Sequence, residues 1–288
     1  MTEEKKSTRR ALETALVVEG GAMRGVFSTG VLDGFLERSF NPFDFFIGVS
    51  AGATNLAAYL AEMPGRNRRI YTDLSTRPEF IDLSRFLRGG HLMDLDWLWD
   101  LTISTMRLDL PRIYSKGRPF IVGLTDARTG KAVYKETAPE DLEHVLKASS
   151  ALPLFYRGFP LVDGLPMTDG GVADPIPVAQ AIRNGARRIM VVRSRPSGFQ
   201  KSGDPTYYAM SLFFRQHSAL RATLKDQNRI YNDAVSLIHN PPAGVSIIEV
   251  CPSSLFRPGR FTRKPDVLLE GYELGRSAAN DAIRRWSG

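Results

Sequence analysis

Two short apolar runs near the start of the chain constrain the fold most, because each ends in a glycine-rich turn that leads into a helical pattern. Thr14-Ala15-Leu16-Val17-Val18 is apolar after its first residue, so it reads as a buried strand, and it runs into Gly20-Gly21. From Gly25 to Arg38 the residues Phe27, Val31, Leu32 and Phe35 recur at helical spacing. Gly30 and Gly34, four apart, would let that helix approach a neighbour closely. Phe43 to Val49 is a second buried strand. The small and apolar residues from Ala51 to Ala61 then read as a helix that Pro64-Gly65 ends. A strand–helix–strand–helix opening argues for parallel strands covered by helices. The fold class expected is α/β, with a mainly parallel central sheet between helices on both faces, a three-layer α/β/α arrangement.

The rest of the chain extends this pattern. Phe120–Thr125 and Lys131–Lys135 flank Arg128-Thr129-Gly130 as a hairpin. Glu140 to Ser150 reads as a helix stopped by Pro153. Leu161-Val162-Asp163-Gly164-Leu165 reads as a tight hairpin whose Asp-Gly pair supplies two positive φ angles. Pro175 and Pro177 fall in or near the first turn of a helix running to Arg183. Ile189–Val192 and Val245–Val250 are further strands, and Tyr207–Leu237 and Pro265–Trp286 read as long helices. His91–Met106 mixes apolar residues with three aspartates. A helix packed on the sheet is the plainer reading of it, and a lid or interfacial element the other.

With 43% hydrophobic residues over 288 positions there is material for a sizeable core, so one domain over 14–288 is expected after a charged lead-in at 1–13. The longest apolar runs fall far short of the ~18 residues a spanning helix needs. No secretory leader is visible in residues 1–10, and the single Cys251 has no partner for a disulfide, so a cytoplasmic setting is expected. Charge is uneven. Residues 1–182 carry 21 Lys+Arg against 23 Asp+Glu, and residues 183–288 carry 17 against 8. The basic C-terminal third suits contact with an anionic membrane surface or an anionic substrate, although a solvated basic face would look the same. It lacks the aromatic interleaving and motifs of nucleic-acid binders, so no nucleic-acid partner is expected. Nothing in the sequence bears on oligomeric state.

Three pieces carry chemistry. Gly48-Val49-Ser50-Ala51-Gly52 is a G-x-S-x-G motif between a strand and a helix, the context of a nucleophile elbow, with Gly48 and Gly52 removing Cβ atoms from the sharp turn. Glu19-Gly20-Gly21-Ala22-Met23-Arg24-Gly25 points successive N–H groups at one spot, as phosphate binding or oxyanion stabilisation requires. A dinucleotide fingerprint fits this turn poorly, since Ala22 replaces the middle glycine and Asp44 precedes the second strand. Asp169-Gly170-Gly171 is by itself an ordinary turn signal. It gains interest because none of the four histidines, His91, His144, His217 and His239, sits in a loop motif suited to a Ser-His-Asp triad. If no histidine serves, a carboxylate must activate Ser50 directly.

In this order the three pieces resemble the patatin-like phospholipase family. The likeness extends to Ser149-Ser150-Ala151-Leu152-Pro153 and Ala173-Asp174-Pro175-Ile176-Pro177, and it covers residues 14 to 195 well. The resemblance implies a Ser-Asp dyad of nucleophile Ser50 and base Asp169, with Gly170 and Gly171 in the base loop. It implies an oxyanion hole on Gly20, Gly21, Ala22, Met23, Arg24 and Gly25, acyl-ester hydrolysis on lipids, and no metal or organic cofactor. Ala22 departs from the family's usual glycine; if its φ is positive, it costs on the order of 1 kcal/mol. Phe27, the 91–106 segment, Leu152, Leu154, Phe155 and Phe213-Phe214 are candidates for an acyl groove, each with the core as its commoner place. Two rivals stand beside this reading. One is a soluble carboxylesterase or thioesterase with the same dyad, the other a non-catalytic anion- or nucleotide-binding protein.

Overall fold

A computed structural model describes residues 12–202 and 205–288, so most of the 1–13 lead-in lies outside the described residues. In chain order the elements are β1 (Thr14–Val18), α1 (Val26–Glu37), β2 (Phe45–Val49), α2 (Ala51–Leu60), α3 (Arg66–Arg69), α4 (Leu83–Leu87), α5 (Leu95–Met106) and α6 (Leu110–Tyr114). They continue with β3 (Phe120–Asp126), β4 (Ala132–Glu136), α7 (Leu142–Ser149), β5 (Leu161–Val162), β6 (Leu165–Asp169), α8 (Val178–Arg183) and β7 (Arg188–Val192). The last are α9 (Pro205–Ser211), α10 (Ser218–His239), β8 (Ser246–Val250) and α11 (Pro265–Ser287).

The strands form one sheet in the order β5-β6-β3-β2-β1-β7-β8, with β4 also paired to β3. β1, β2, β3, β7 and β8 run parallel, and the β3–β4, β3–β6 and β5–β6 pairs are antiparallel. Both faces are covered, as the unbroken apolar strands require. Leu16, Val18 and Phe46 point to one face, where they meet α1, α2, α7 and α11 through residues such as Phe35, Leu56, Leu146 and Ala279. Ala15, Val17, Phe45 and Ile47 point to the other and meet Val178 and Ala181 of α8 and Tyr231, Val235 and Ile238 of α10. The three-layer α/β/α arrangement is therefore present.

The Gly30/Gly34 spacing does what it foretold. A Cβ on Gly30 would lie 2.0 Å from the Tyr272 carbonyl oxygen, and one on Gly34 would lie 2.6 Å from the Ala279 Cβ. From the other side, a Cβ on Gly275 would sit 2.1 Å from the Phe27 oxygen. α1 and α11 thus meet backbone to backbone. Asp33 ties the seam, accepting from the Tyr272 hydroxyl and the Gly65 N–H at 2.9 Å each.

Three expectations need correction. The helix expected over 207–237 is two, because the chain turns at 212–217. The turn lets Tyr207 and Met210 pack with Leu220, Leu224 and Val172 while Phe214 meets Phe159 at a tilt and His217 edge-on, so burial overrides helical periodicity there. Phe27 is a core residue, and Leu154, Phe155, Phe213 and Phe214 do not line the cavity described below. The 91–106 segment holds α5, which packs with Ile70, Leu74 and Phe80 and walls that cavity through Leu95, Leu98 and Trp99.

Candidate active site

The register of β3 explains why residues 119 positions apart meet. Val49, the last residue of β2, pairs with Gly123. The next residue on β3, Leu124, pairs with Asp169 of β6. β4 occupies the other edge of β3, so β6 takes the slot that β2 vacates where the chain turns at Ser50. Asp169 therefore arrives beside Ser50 as a consequence of strand pairing. The Ser50 Oγ donates to Asp169 Oδ2 at 2.7 Å.

The elbow is a strained turn held by close packing. Ser50 has φ 53 and ψ −127, a conformation that costs a non-glycine residue on the order of 1–3 kcal/mol. Cβ atoms on Gly48 and Gly52 would lie 2.5 Å from Ala53 Cα and 2.4 Å from the Val18 oxygen, so both glycines are sterically required. The Ser50 N–H donates to Ser149 Oγ at 2.8 Å, and that hydroxyl donates to the Gly123 oxygen at 2.7 Å. Ser149 thereby ties the elbow to β3; the sequence offered only its phrase, not this role.

Asp169 is buried and held from several sides. Its Oδ1 accepts the Gly171 N–H at 2.7 Å, its own N–H goes to the Ala151 oxygen, and its carbonyl accepts from Thr125 Oγ1. Gly170 must be glycine, since a Cβ there would meet the Gly123 oxygen at 2.1 Å. Burial pushes the Asp169 carboxyl up to about 6, against the lowering pull of the Ser50 hydroxyl, the Gly171 N–H and Arg260.

The glycine turn after β1 faces the same cavity. It forms a 3₁₀ turn over Ala22–Gly25, and Ala22 takes φ 49, so the penalty anticipated for alanine applies. The Met23 N–H goes to the Arg260 oxygen and the Arg24 N–H to the Gly21 oxygen. The N–H groups of Gly20, Gly21 and Ala22 make no hydrogen bond among the described residues. Asn55 braces the end of the turn, donating to the Gly25 oxygen at 2.8 Å, and Asn67 holds Asn55 in turn.

Ser50, Asp169 and the glycine turn line one cavity of about 140 Å³. Part of its lining is apolar, with Ile70, Phe80, Met93, Leu95, Leu98 and Leu152. The lining also includes Arg24, Lys201, Arg260, Tyr207, Gln227 and Tyr231. None of the four histidines, all of them described, lines it. Lys201, Gln227, Asn55 and Arg260 escaped sequence reading because no local motif surrounds them; only the excess of basic residues after 183 hinted at two of them. Asp163 belongs to the β5–β6 hairpin with φ 50 and pairs with Lys135, away from this cavity. The described residues contain no cluster suited to a metal ion and no helix long and apolar enough to cross a membrane.

A parallel α/β sandwich whose second strand ends in a serine elbow is the class of protein that fold and site define. The chain belongs to the patatin-like phospholipase family, whose model matches residues 16–182. A second model, a domain of unknown function (DUF6363), matches residues 217–288. The uncharacterized protein YjjU of Escherichia coli strain K12 is 36% identical over 268 residues, covering 91% of this chain and 74% of that one. The crystal structure of VipD from Legionella pneumophila aligns with a TM-score of 0.46 and 12% identity, over 96% of this chain and 67% of that one.

Proposed function

We propose that this chain is a serine lipid acyl hydrolase that cleaves carboxylic esters and releases fatty acids. The observation that carries the proposal is the 2.7 Å hydrogen bond from Ser50 Oγ to the buried Asp169, beside three uncommitted N–H groups. In this reading Ser50 attacks the ester carbonyl as Asp169 takes its proton. A carboxyl near 6 is a better base than an ordinary aspartate near 4, yet still weak against a hydroxyl, so stabilisation of the oxyanion has to carry much of the barrier. The Gly20, Gly21 and Ala22 N–H groups are the donors for it, each worth ~10²–10³ in rate. The alcohol leaves with the proton from Asp169. Water, activated by the same carboxylate, then frees the acid from Ser50.

The apolar part of the lining suits the acyl chain. About 140 Å³ is on the scale of a cavity that holds benzene, so short acyl chains seat without movement of α5. We read residues 14–288 as one folding unit: β8 completes the sheet and α11 covers α1, so the C-terminal third is built into the layers. A cytoplasmic enzyme touching anionic membrane through its basic third completes the reading, and vesicle binding that weakens with salt is its sign.

The test is a fluorophosphonate probe with the labelled residue read by mass spectrometry. Labelling at Ser50, lost in Ser50→Ala and reduced at least tenfold in Asp169→Asn, is the expected result. Ligand binding without labelling, in folded protein presented both alone and with vesicles, favours the non-catalytic reading. Turnover of short soluble esters with none on lipid dispersions favours the soluble esterase.

A further inference from the structure

The ladder between β1 and β7 stops close to Ser50, and a side chain ends it. Val18 pairs with Val192, and the Glu19 N–H still donates to the Val192 oxygen at 2.9 Å. In a regular parallel ladder the next two bonds would run from the Ser194 N–H to the Glu19 carbonyl and from the Gly21 N–H to the Ser194 carbonyl. Neither forms among the described residues. The Glu19 carboxylate takes the Ser194 N–H at 2.7 Å in place of its own carbonyl. The chain then leaves the sheet, and the Gly21 N–H is released from the partner that pairing would have given it.

Ser194 also holds the far side of the same peptide. Its Oγ donates to the Gly20 oxygen at 3.3 Å. The Gly20 oxygen and the Gly21 N–H belong to one planar trans peptide and point in opposite directions, so a hydroxyl on the oxygen turns the N–H away from β7. Packing leaves that peptide little room. A Cβ on Gly21 would lie 2.6 Å from the Ser194 Oγ, and one on Gly20 would lie 3.1 Å from the Ser50 Cβ. Glu19, Arg193 and Ser194 are all buried, and the charges are matched. The Arg193 Nε lies 3.8 Å from Glu19 Oε2, and its other nitrogens reach Glu249 and the Tyr231 hydroxyl. Breaking one member out of such a buried ionic group is costly, which gives the clamp a firm base. Ala22 needs no such help: its peptide is set within the turn, where the Gly21 oxygen accepts the Arg24 N–H at 3.2 Å.

We infer that Glu19 and Ser194 are positioning residues, Glu19 ending the β1–β7 ladder early and Ser194 aiming the freed Gly21 N–H at the oxyanion that forms when Ser50 attacks. The inference rests on the hydrolase reading for what that N–H binds. Ser194 lies beyond residues 16–182, the span that matches the family model. One amide of the glycine turn is therefore directed by a residue two places past the end of β7.

The kinetic test uses p-nitrophenyl butyrate. An aimed donor acts on the transition state, so Ser194→Ala should lower kcat about 10- to 100-fold with KM held within about twofold, a smaller loss than the ~10²–10³ of a deleted donor. Glu19→Gln keeps an oxygen for the Ser194 N–H but gives up the pairing with Arg193. Its kcat should fall between parent and Ser194→Ala, and it serves if melting shows that Ser194→Ala does not fold. The second readout needs no turnover. The order parameter of the Gly21 N–H, from 15N relaxation, should drop from about 0.85 to about 0.6 or below in Ser194→Ala, while that of the Ser50 N–H, held by Ser149, stays near its parent value. A kcat within about threefold of the parent, a loss carried by KM instead of kcat, or an unchanged Gly21 order parameter overturns the inference. A chain that turns over no ester loses the hydrolase reading, and the Gly21 order parameter then decides by itself whether Ser194 holds the amide.

Discussion

The turns after β1 and β2 use the same local device for opposite purposes. Each places a non-glycine residue at positive φ, Ala22 at 49 and Ser50 at 53, between glycines whose missing Cβ atoms allow close packing. At the elbow the backbone is closed off, because Ser149 takes the Ser50 N–H, and the side chain is what the turn presents. At the first turn the side chain is a methyl group, and the backbone N–H groups of Gly20 to Ala22 are left open. One turn aims a hydroxyl and the other aims amides. The comparison teaches that a strained turn becomes useful according to which of its polar groups the neighbours leave unsatisfied.

The largest effect that could break this contrast lies at the elbow. Ser50→Ala removes the aimed group, and Asp169→Asn removes its acceptor of a proton; ester turnover should fall by about 10³-fold or more in each. Retention of more than a tenth of the activity in Asp169→Asn would separate the geometry from the chemistry. Next comes pH. In the proposed mechanism Asp169 acts ionised, so kcat/KM should rise with pH and level off above about 6. Stability runs the other way. The folded state holds the Asp169 proton up to about 6 while the unfolded chain releases it near the ordinary 3.8, so between these values the folded state binds more protons. The cost of ionising the buried carboxyl therefore grows as pH rises from about 4 to 6, to on the order of 3 kcal/mol. Asp169→Asn should be inactive yet more stable than the parent above pH 6, with the two converging below pH 4. Urea denaturation across that range measures it; equal stability at pH 7 would contradict the burial argument.

Smaller effects sharpen the contrast. Gly52→Ala forces a Cβ against the Val18 and Glu19 oxygens, whose backbone cannot yield, and should cost about 1–3 kcal/mol by denaturant midpoint. Ala22→Gly relieves positive φ but loosens the unfolded chain. The net gain should be about 0.5–1 kcal/mol, with a rise of a few degrees in melting temperature and turnover within a factor of two. A loss of activity there would mean that the methyl group helps to fix the N–H directions.

Most of this frame was legible because it is local. Strand, glycine turn and helix follow one another within thirty residues, and the elbow's Gly48 is needed by a contact only five residues on, against Ala53. The Asp163-Gly164 turn was readable for the same reason, since two positive φ values leave few residue choices. What escaped depends on pairing across the chain. The slot on β3 that seats Asp169, the hydroxyl of Ser149 under the elbow and the amide of Gln227 behind the base loop leave no periodic trace. The break between α9 and α10 escaped because no proline or glycine marks it; aromatic burial makes that turn. The acyl-groove candidates divided, with Leu152 and the 91–106 segment on the cavity wall and Phe27, Leu154, Phe155, Phe213 and Phe214 off it, since hydrophobicity alone does not separate a core phenylalanine such as Phe27 from a cavity wall such as Leu98.

The glycine seam between α1 and α11 has a consequence for timing. α1 springs from the open amide turn, and its outer face stays bare until Gly271, Gly275 and Ala279 lie against it. During synthesis the first third of the chain emerges long before residues 265–287 exist. A nascent chain therefore carries the serine and its glycine turn early but cannot bury the helix that supports the turn until residues 265–287 leave the ribosome. The gap between making Ser50 with its glycine turn and covering α1 delays completion of this corner of the fold until α11 is made.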